Sequence, residues 1–190
     1  MILVFASNNV HKLNEIRNLV AVGYEFLSLN DIKCSEELSE TGITLEENAL
    51  QKAKYVFEKY NVNCFADDTG LEVESLNGAP GVYSARYAGE NKNAEENILK
   101  LLEELKEKVD RTAQFRTVIA GIIGGKEFIC EGKVKGEILK IKKGGNGFGY
   151  DPVFMPKGSN LSFAEMTMKE KNKNSHRAKA LEKFLEILRT

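Results

Sequence analysis

The segment from Thr112 to Ile138 restricts the possible folds of this chain more than any other. Strand-forming residues are dense on both sides of Gly124-Gly125, a pair that favours a two-residue hairpin turn. Such a short turn joins antiparallel strands, because parallel strands need a long crossover connection. The rest of the chain alternates strand-like and helix-like segments. A hairpin inserted into that alternation predicts a mixed-sheet α/β domain.

The N-terminal part supplies the first strands and helices of this alternation. Residues 2–6 form an apolar run that predicts a buried strand, and residues 24–29 predict a second one. Residues 44–47 have the form of a capping box at the start of a helix. Two helices are predicted from apolar residues at helical spacing: Val10, Leu13, Ile16, Leu19 and Val20 in the first, and Leu45, Ala49, Ala53, Val56, Phe57 and Tyr60 in the second.

The remaining segments continue the pattern. Residues 62–66 and 71–73 predict two strands that are separated by Asp67-Asp68-Thr69-Gly70, and residues 77–81 predict a turn. A short strand-like pair at 153–154 precedes one C-terminal helix, which Thr167 and Glu170 would cap. Apolar faces mark the helices: Ile98, Leu101, Leu102 and Leu105 in the middle of the chain, and Ala178, Leu181, Leu185 and Leu188 at its end.

Composition bounds the class of protein. The 190 residues fit a single domain spanning 1–190, and 27 basic against 28 acidic residues give a formal charge of −1. A balanced charge without long runs argues against duplex nucleic acid or a membrane surface as the main partner. The N-terminus lacks a basic leader and no apolar run reaches membrane-spanning length, so a cytoplasmic location is expected. The cysteines, which lack a CxxC pair, are expected to be buried free thiols: Cys34, Cys64 and Cys130.

The segment from Gly144 to Pro152 combines four glycines with two aromatic rings and a carboxylate. Glycine lets a backbone approach a ligand closely, and a ring beside it offers a flat surface for stacking. Phe148 and Tyr150 could therefore clamp a planar ligand. A tight turn whose rings fill the core explains the same pattern.

The first strand is predicted to run directly into a helix at Ser7-Asn8-Asn9-Val10-His11-Lys12. A helix N-terminus presents unsatisfied N–H groups that suit phosphate, and Lys12 lies about one turn inside it. The segment is not a P-loop, because GxxxxGK[ST] is absent. An ordinary capped helix with a solvated lysine is the alternative.

Two groups of polar residues could carry chemistry at strand and loop positions. Neighbouring strand residues point in opposite directions, so at most one of Asp67 and Asp68 should face a given site. That carboxylate could hold Mg²⁺ or deprotonate a water molecule, or it could belong to an Asx turn. Glu40 could supply a second oxygen for a metal, or it could be a solvated loop acid.

The C-terminal helix is rich in donors at Lys171 and at Ser175-His176-Arg177. These side chains could read a base edge or a phosphate, although a charged solvent face is the usual outcome for a helix this polar. The chain has two histidines and no HxxxH pair, which argues against catalytic zinc. The phosphate-binding helix, the metal-binding acid, the stacking loop and the donor-rich helix together fit a nucleoside triphosphate.

These motifs, in this order, resemble the inosine triphosphate pyrophosphatase family, whose members hydrolyse non-standard purine nucleotides. The resemblance runs through nearly the whole chain: Ser7-Asn-Asn-Val-His-Lys12, Glu40-Thr-Gly-Ile-Thr-Leu-Glu-Glu-Asn-Ala49, Ala66-Asp-Asp-Thr-Gly-Leu71, Gly78-Ala-Pro-Gly-Val-Tyr-Ser-Ala-Arg86, Gly145 to Pro152, and Ser175-His-Arg177. It implies a mixed β-sheet flanked by helices, with two lobes and a central substrate cleft, and usually a homodimer.

The resemblance also implies roles for individual residues. Asp68 matches the Mg²⁺-linked general base, and Glu40 matches a further metal-binding acid. Thr69 stands where many members have serine and keeps the hydroxyl group. The implied substrate-binding residues are Ser7, Asn8, Asn9, Val10, His11, Lys12, Thr69, Phe148, Gly149, Tyr150, Asp151, Lys171, His176 and Arg177, with Lys12 on the phosphates and Phe148 as the stacking ring.

The implied reaction is attack of water on the α-phosphorus of ITP, dITP or XTP, which yields a nucleoside monophosphate and pyrophosphate. Donors from Lys171, His176 or Arg177 would pair with a 6-oxo group and reject a 6-amino group. Two other functions stay open at this point. The chain could hydrolyse other modified nucleotides, such as modified pyrimidines, or it could bind nucleotides without turning them over.

Overall fold

The computed structural model describes residues 1–19 and 23–189 of the chain, so Val20 of the first predicted helix lies outside the described residues. The strands are β1 (Ile2–Phe5), β2 (Glu25–Leu27), β3 (Cys64–Val73), β4 (Pro80–Gly81), β5 (Thr112–Ile123), β6 (Lys126–Ile138) and β7 (Phe154–Pro156). The α-helices are α1 (Val10–Asn18), α2 (Leu45–Tyr60), α3 (Ala94–Glu104), α4 (Met168–Asn174) and α5 (His176–Ile187). None of the helices in these ranges is long and apolar enough to span a membrane.

The strands form a mixed sheet in the order β2-β1-β3-β5-β6-β7, and β4 pairs with β3. β1 is parallel to both β2 and β3, whereas β4 is antiparallel to β3 and β7 is antiparallel to β6. The turn between β5 and β6 consists of Gly124 and Gly125, whose φ angles of 56° and 79° favour glycine. The predicted mixed α/β class and the hairpin are confirmed.

The chain divides into two compact units, and each has its own core. The first unit comprises Met1–Asp68, Thr117–Gly132 and His176–Thr190, and the second comprises Thr69–Arg116 and Lys133–Ser175. In the first, the ring of Phe65 lies 5.0 Å from that of Phe5 and 5.2 Å from that of Phe184. In the second, the rings of Phe115 and Phe154 are 4.7 Å apart. The single domain 1–190 stays a prediction.

The prediction of two strands separated by Asp67-Asp68-Thr69-Gly70 is wrong, because β3 continues through these residues. A Cβ atom at Gly70 would lie 2.7 Å from the carbonyl oxygen of Gly81, so the main chain of β4 lies directly against this glycine. Leu71 is paired with Gly81, which extends the strand beyond the two acids. The polar residues therefore lie inside a strand rather than in a turn.

The single C-terminal helix is also a wrong prediction. Thr167 and Glu170 form the expected capping box, but α4 ends at Asn174 and α5 begins at His176. Ser175 between them has an extended backbone with ψ 156°. The chain passes from the second unit to the first between Ser175 and His176, and the break lies at that crossing.

At the N-terminus of α2, one of the two hydrogen bonds of the predicted capping box is present and the other is not. The hydroxyl of Thr44 accepts from the main-chain N–H of Glu47 at 3.1 Å, as a capping residue should. The carboxylate of Glu47 accepts from the N–H of Ile43 at 2.7 Å instead of from Thr44. Thr44 is therefore the N-cap, but the reciprocal bond of a capping box is replaced by one from the preceding residue.

Candidate active site

The turn from β1 to α1 is built by its own side chains. The hydroxyl of Ser7 accepts from the N–H of Asn9 at 3.2 Å, and the amide oxygen of Asn9 accepts from the N–H of Lys12 at 3.1 Å. Asn9 is thus the N-cap of α1, and Asn8, Asn9, Val10 and His11 are exposed. The predicted helix start is therefore present, and its binding of phosphate stays a prediction.

Asn8 joins this turn to the loop before α2. Its amide group donates to the carbonyl oxygen of Glu36 and accepts from the N–H of Leu38, both at 3.3 Å. Both ends of the side chain are therefore used in shaping the loop. Its predicted contact with phosphate would come from its main chain, and it stays a prediction.

The lysine of the helix start forms an ion pair with a buried strand residue. Lys12 Nζ lies 3.1 Å from Asp67 Oδ1, and Arg177 Nε donates to Asp67 Oδ2 at 3.0 Å. Burial acts to raise the pKa of Asp67, but the charges of Lys12, Arg177 and Lys52 outweigh it and hold that pKa below its usual range. Asp67 is therefore an anion that anchors Lys12.

Asp68 has different partners, as strand alternation requires. Its Oδ2 accepts from the side chain of Asn48 at 3.0 Å, and Lys52 Nζ lies 3.9 Å from its Oδ1. Burial raises the pKa of Asp68, and the charge of Lys52 offsets this effect only in part. A carboxylate with a raised pKa is a stronger proton acceptor, which suits the role of a general base.

Glu40 is paired with a lysine rather than fully solvated. Its carboxylate accepts from Lys52 Nζ, and its side chain is 27% exposed. Burial acts to raise the pKa of Glu40, but the charge and hydrogen bond of Lys52 and the charge of Lys12 together outweigh it and lower the pKa. Lys52 also donates to the main-chain oxygen of Asp67 at 2.8 Å. One ammonium group thus contacts the strand and both predicted metal ligands.

Lys52 and Asn48 are site residues that the sequence reasoning missed. Both lie on the face of α2 that is otherwise buried and apolar. A lysine and an asparagine at the helical spacing of core residues are a detectable signal, because unpaired polar groups are costly to bury. Because they lie on the apolar face of the helix, these two polar side chains are expected to pair with other polar groups inside the protein.

This first group of site residues contains both acidic and basic side chains. Its four carboxylates and three cations are Glu15, Glu40, Asp67 and Asp68 with Lys12, Lys52 and Arg177. Residues 1–19 and 23–189 contain no group of three or more acidic, His or Cys side chains arranged to hold a metal by themselves. Mg²⁺ commonly takes one or two protein carboxylates and completes its shell with water and substrate phosphates. The residues present fit such an ion.

A second group of predicted residues lies in the second unit. Asp151 Oδ2 accepts from the main-chain N–H of Phe148 at 2.8 Å and from Lys171 Nζ at 2.6 Å. The ammonium of Lys171 lies 5.1 Å from the centre of the Phe148 ring, within cation–π range. Lys171 is buried, so the alternative of a charged solvent face is wrong for it.

The position of Asp151 explains why residue 147 is a glycine. No neighbouring atom explains the glycine at position 149. A Cβ atom at Gly147 would lie 2.1 Å from Asp151 Oδ2, so the loop closes on this carboxylate. Gly149 has φ 59°, and a Cβ atom there would meet nothing within 4 Å.

Thr69, the predicted substrate-binding hydroxyl residue, is half-buried on β3.

Tyr150 is a core residue. It is 4% exposed within the apolar cluster of the second unit, and its hydroxyl donates to the carbonyl oxygen of Ser84 at 2.9 Å. Burial raises the pKa of Tyr150 above its ordinary value. Of the two rings in the glycine-rich loop, Tyr150 fills the core and Phe148 is the one with a half-exposed surface.

His176 and Arg177 are buried in the first unit, so a charged solvent face is wrong for them as well. His176 Nδ1 lies 2.6 Å from the hydroxyl oxygen of Thr117. The guanidinium of Arg177, which is 1% exposed, donates to Glu15 and Asp67. Arg177 thus organises the charges around Asp67, and its direct contact with a base stays a prediction.

The structure therefore brings Lys12, Glu40, Asp68 and Arg177 into one charged network in the first unit, and Phe148, Asp151 and Lys171 into one cluster in the second. The sequence profile of the Ham1 family matches residues 3–187. The chain belongs to the Ham1 family. The resemblance that the motifs predicted is confirmed.

Individual Ham1 relatives cover almost the whole chain. The dITP/XTP pyrophosphatase of Christiangramia forsetii is 56% identical over 188 residues, which are 99% of both chains. The dITP/XTP pyrophosphatase of Flavobacterium johnsoniae is 52% identical over 188 residues, 99% of this chain and 98% of that protein. The solved structure of the Staphylococcus aureus Ham1 protein has a TM-score of 0.89 at 40% identity and covers 100% of this chain and 98% of its own.

Proposed function

We propose that this protein hydrolyses the non-standard purine nucleoside triphosphates ITP, dITP and XTP to the monophosphate and pyrophosphate. The observation that carries the proposal is the 56% identity, over 99% of both chains, to a dITP/XTP pyrophosphatase. The site supports it independently, because Lys12 at the exposed start of α1 and Asp68, a buried carboxylate of raised pKa, belong to one network of charged groups. Removal of such nucleotides would cleanse the nucleotide pool.

The first group of residues would act on the triphosphate and on water. The main-chain N–H groups at the start of α1 and the ammonium of Lys12 would bind phosphate oxygens, and Ser7 and Asn9 keep that helix start in shape. Asp68 would orient the attacking water and accept its proton. Lys52 and Asn48 would hold the Asp68 carboxylate in place.

Glu40 and Asp68 are the residues that would hold Mg²⁺. When bound, the ion would neutralise charge that develops on the phosphates. Lys52 already contacts the Glu40 carboxylate and lies 3.9 Å from Asp68, so the two acids are kept near a common positive charge.

The second group would recognise the purine. Phe148 would stack on the base, and Gly149 would allow a close approach of the main chain. Lys171 of this group would donate to a 6-oxo group. The family resemblance assigns the same role to His176 and Arg177, which belong to the first unit. Adenine carries a 6-amino group there, and a buried donor without an acceptor costs about 1–3 kcal/mol. Rejection of guanine must depend on its 2-amino group.

A panel of nucleotides tests the proposed function. We expect hydrolysis of ITP, dITP and XTP to exceed that of ATP by at least about a hundredfold in kcat/KM, because two or more polar contacts would discriminate the 6-position. GTP and modified pyrimidine triphosphates complete the panel. The products are separated by ion-exchange chromatography, and pyrophosphate is the expected one.

Three results would contradict the proposal. Orthophosphate as the first product would place attack at the γ-phosphorus. Faster turnover of a modified pyrimidine triphosphate would assign the enzyme to another substrate class. Tight nucleotide binding without any product under several divalent metals would make the chain a nucleotide-binding module.

Removal of divalent metal tests the role of Glu40. We expect EDTA to abolish turnover of ITP and added Mg²⁺ to restore it. Glu40→Gln should raise the Mg²⁺ concentration needed for half-maximal rate by about tenfold or more, because one charged oxygen ligand is lost. Glu37→Gln is the matched control, since Glu37 is an exposed acid of the same loop. An equal Mg²⁺ requirement in both variants would remove Glu40 from the metal site.

A homodimer in the cytoplasm, with a nucleoside triphosphate as its small-molecule substrate, completes the proposal. The molar mass measured by light scattering tests the dimer, with a value near 21.2 kDa indicating a monomer.

A further inference from the structure

A buried hydroxyl contacts the only buried histidine among the described residues. Thr117 lies on β5 and is 0% exposed, and His176 is the first residue of α5 and is 3% exposed. Thr117 Oγ1 and His176 Nδ1 are 2.6 Å apart, which is a short hydrogen bond for an oxygen and a nitrogen. The two residues are 59 positions apart in sequence, so the fold brings them together.

The surroundings of His176 favour its neutral form. Burial disfavours the charged imidazolium, and the N-terminus of a helix carries a partial positive charge that opposes a further cation. A neutral imidazole has one N–H donor and one bare nitrogen acceptor. Nε2 therefore carries the proton if the Thr117 hydroxyl donates to Nδ1, and lacks it if that hydroxyl accepts from Nδ1–H.

We propose that Thr117 is a positioning residue for selectivity: its hydroxyl donates to His176 Nδ1 and keeps the ring as the Nε2–H tautomer. This inference rests on the proposed function, in which His176 donates to the 6-oxo group of the base. An Nε2–H donor pairs with the oxo group of hypoxanthine or xanthine and opposes the amino group of adenine. The opposite tautomer would present an acceptor and favour adenine. Thr117 therefore fixes the direction of the selectivity.

The main chain of His176 is held by the neighbouring strand. A Cβ atom at Gly132 on β6 would lie 2.1 Å from the carbonyl oxygen of His176 and 2.4 Å from the N atom of Ala180. The first turn of α5 therefore lies directly against the backbone of β6. With the main chain fixed by β6 and Nδ1 bonded to β5, the ring has one defined orientation.

The tautomer can be read directly by ¹⁵N NMR of the imidazole nitrogens in the nucleotide-free protein. The chain has two histidines, and exposed His11 serves as an internal reference. We expect Nδ1 of His176 to give the signal of a bare nitrogen that accepts a hydrogen bond, and Nε2 to carry the proton. A proton on Nδ1 in the wild-type protein would overturn the inference, whatever the enzyme hydrolyses.

Two substitutions connect the tautomer to selectivity. Thr117→Val removes the donor at nearly constant shape, and Thr117→Ser keeps it. We expect the valine variant to shift the Nδ1 signal to that of a nitrogen without a hydrogen bond, and to reduce the ITP-to-ATP ratio of kcat/KM by about tenfold to a hundredfold. The serine variant should restore both readouts.

The two readouts separate failure of this inference from failure of the proposed function. A valine variant with an unchanged Nδ1 signal or an unchanged ITP-to-ATP ratio would overturn the role of Thr117 while ITP hydrolysis by the wild type stands. No hydrolysis of ITP by the wild type would overturn the proposed function, and with it the selectivity role. If the valine variant does not fold, two measurements still test the inference. The wild-type NMR signal must show a bare Nδ1, and the serine variant must keep the wild-type ITP-to-ATP ratio of kcat/KM.

Discussion

Asp68→Asn is expected to remove nearly all turnover of ITP and to leave the fold intact. The amide cannot accept a proton from water, and a positioned general base contributes about 10²- to 10⁴-fold to a rate, so kcat should fall by about 10³-fold or more. The shape of the side chain is unchanged, and the side chain of Asn48 can still donate to the remaining oxygen. Unfolding should therefore occur close to the wild-type temperature.

Single-turnover kinetics with saturating Mg²⁺ and ITP measure this effect, since they isolate the chemical step from product release. Asp110→Asn is the matched control, because Asp110 is an exposed turn residue that accepts from the N–H of Thr112. The control should keep the wild-type rate. A rate within tenfold of wild type for Asp68→Asn would remove Asp68 as the base.

The order of strands and helices was predictable because its signals are local. The hairpin follows from Gly124-Gly125 between strand-forming residues, and the start of α1 follows from capping residues after an apolar run. The two errors lie where local signals do not apply. β3 continues past Asp68, where the main chain of Gly81 lies against Gly70, and the C-terminal helix breaks at Ser175, where the chain passes from the second unit to the first.

Site residues that belong to short sequence motifs were predictable. Site residues that form ion pairs with partners distant in sequence were not. The metal and base assignments to Glu40 and Asp68 rest on short motifs, but the lysine that contacts both of them lies on a helix and looks like a surface residue by type. Likewise, Arg177 reads as a solvated cation until its bond to Glu15, 162 positions away, is known. Only the apolar neighbours of such residues in the sequence indicate that they are buried.

Arg177→Met is expected to destabilise the protein far more than Lys142→Met. Arg177 is 1% exposed and pairs with Glu15 and Asp67, so its removal takes a buried cation away from two buried carboxylates, at a cost of about 3–5 kcal/mol. Lys142 pairs with Glu95 at 2.7 Å on the surface, with both side chains about half exposed, and such pairs contribute about 0–1 kcal/mol. Urea unfolding followed by circular dichroism measures both variants.

A double-mutant cycle shows whether the loss of stability comes from the ion pair between Arg177 and Glu15. In Arg177→Met the Glu15 carboxylate lies buried opposite a methionine, so adding Glu15→Gln should recover part of the stability. The double variant should then lose less than the sum of the two single losses, with a coupling of about 0.5–3 kcal/mol, as is found for residues in one ion-pair network. Additive losses would mean that Arg177 stabilises the unit through its packing. Equal losses in Arg177→Met and Lys142→Met would show that the buried network contributes no more than a surface pair, because water or a rearrangement compensates Asp67 once the guanidinium is gone.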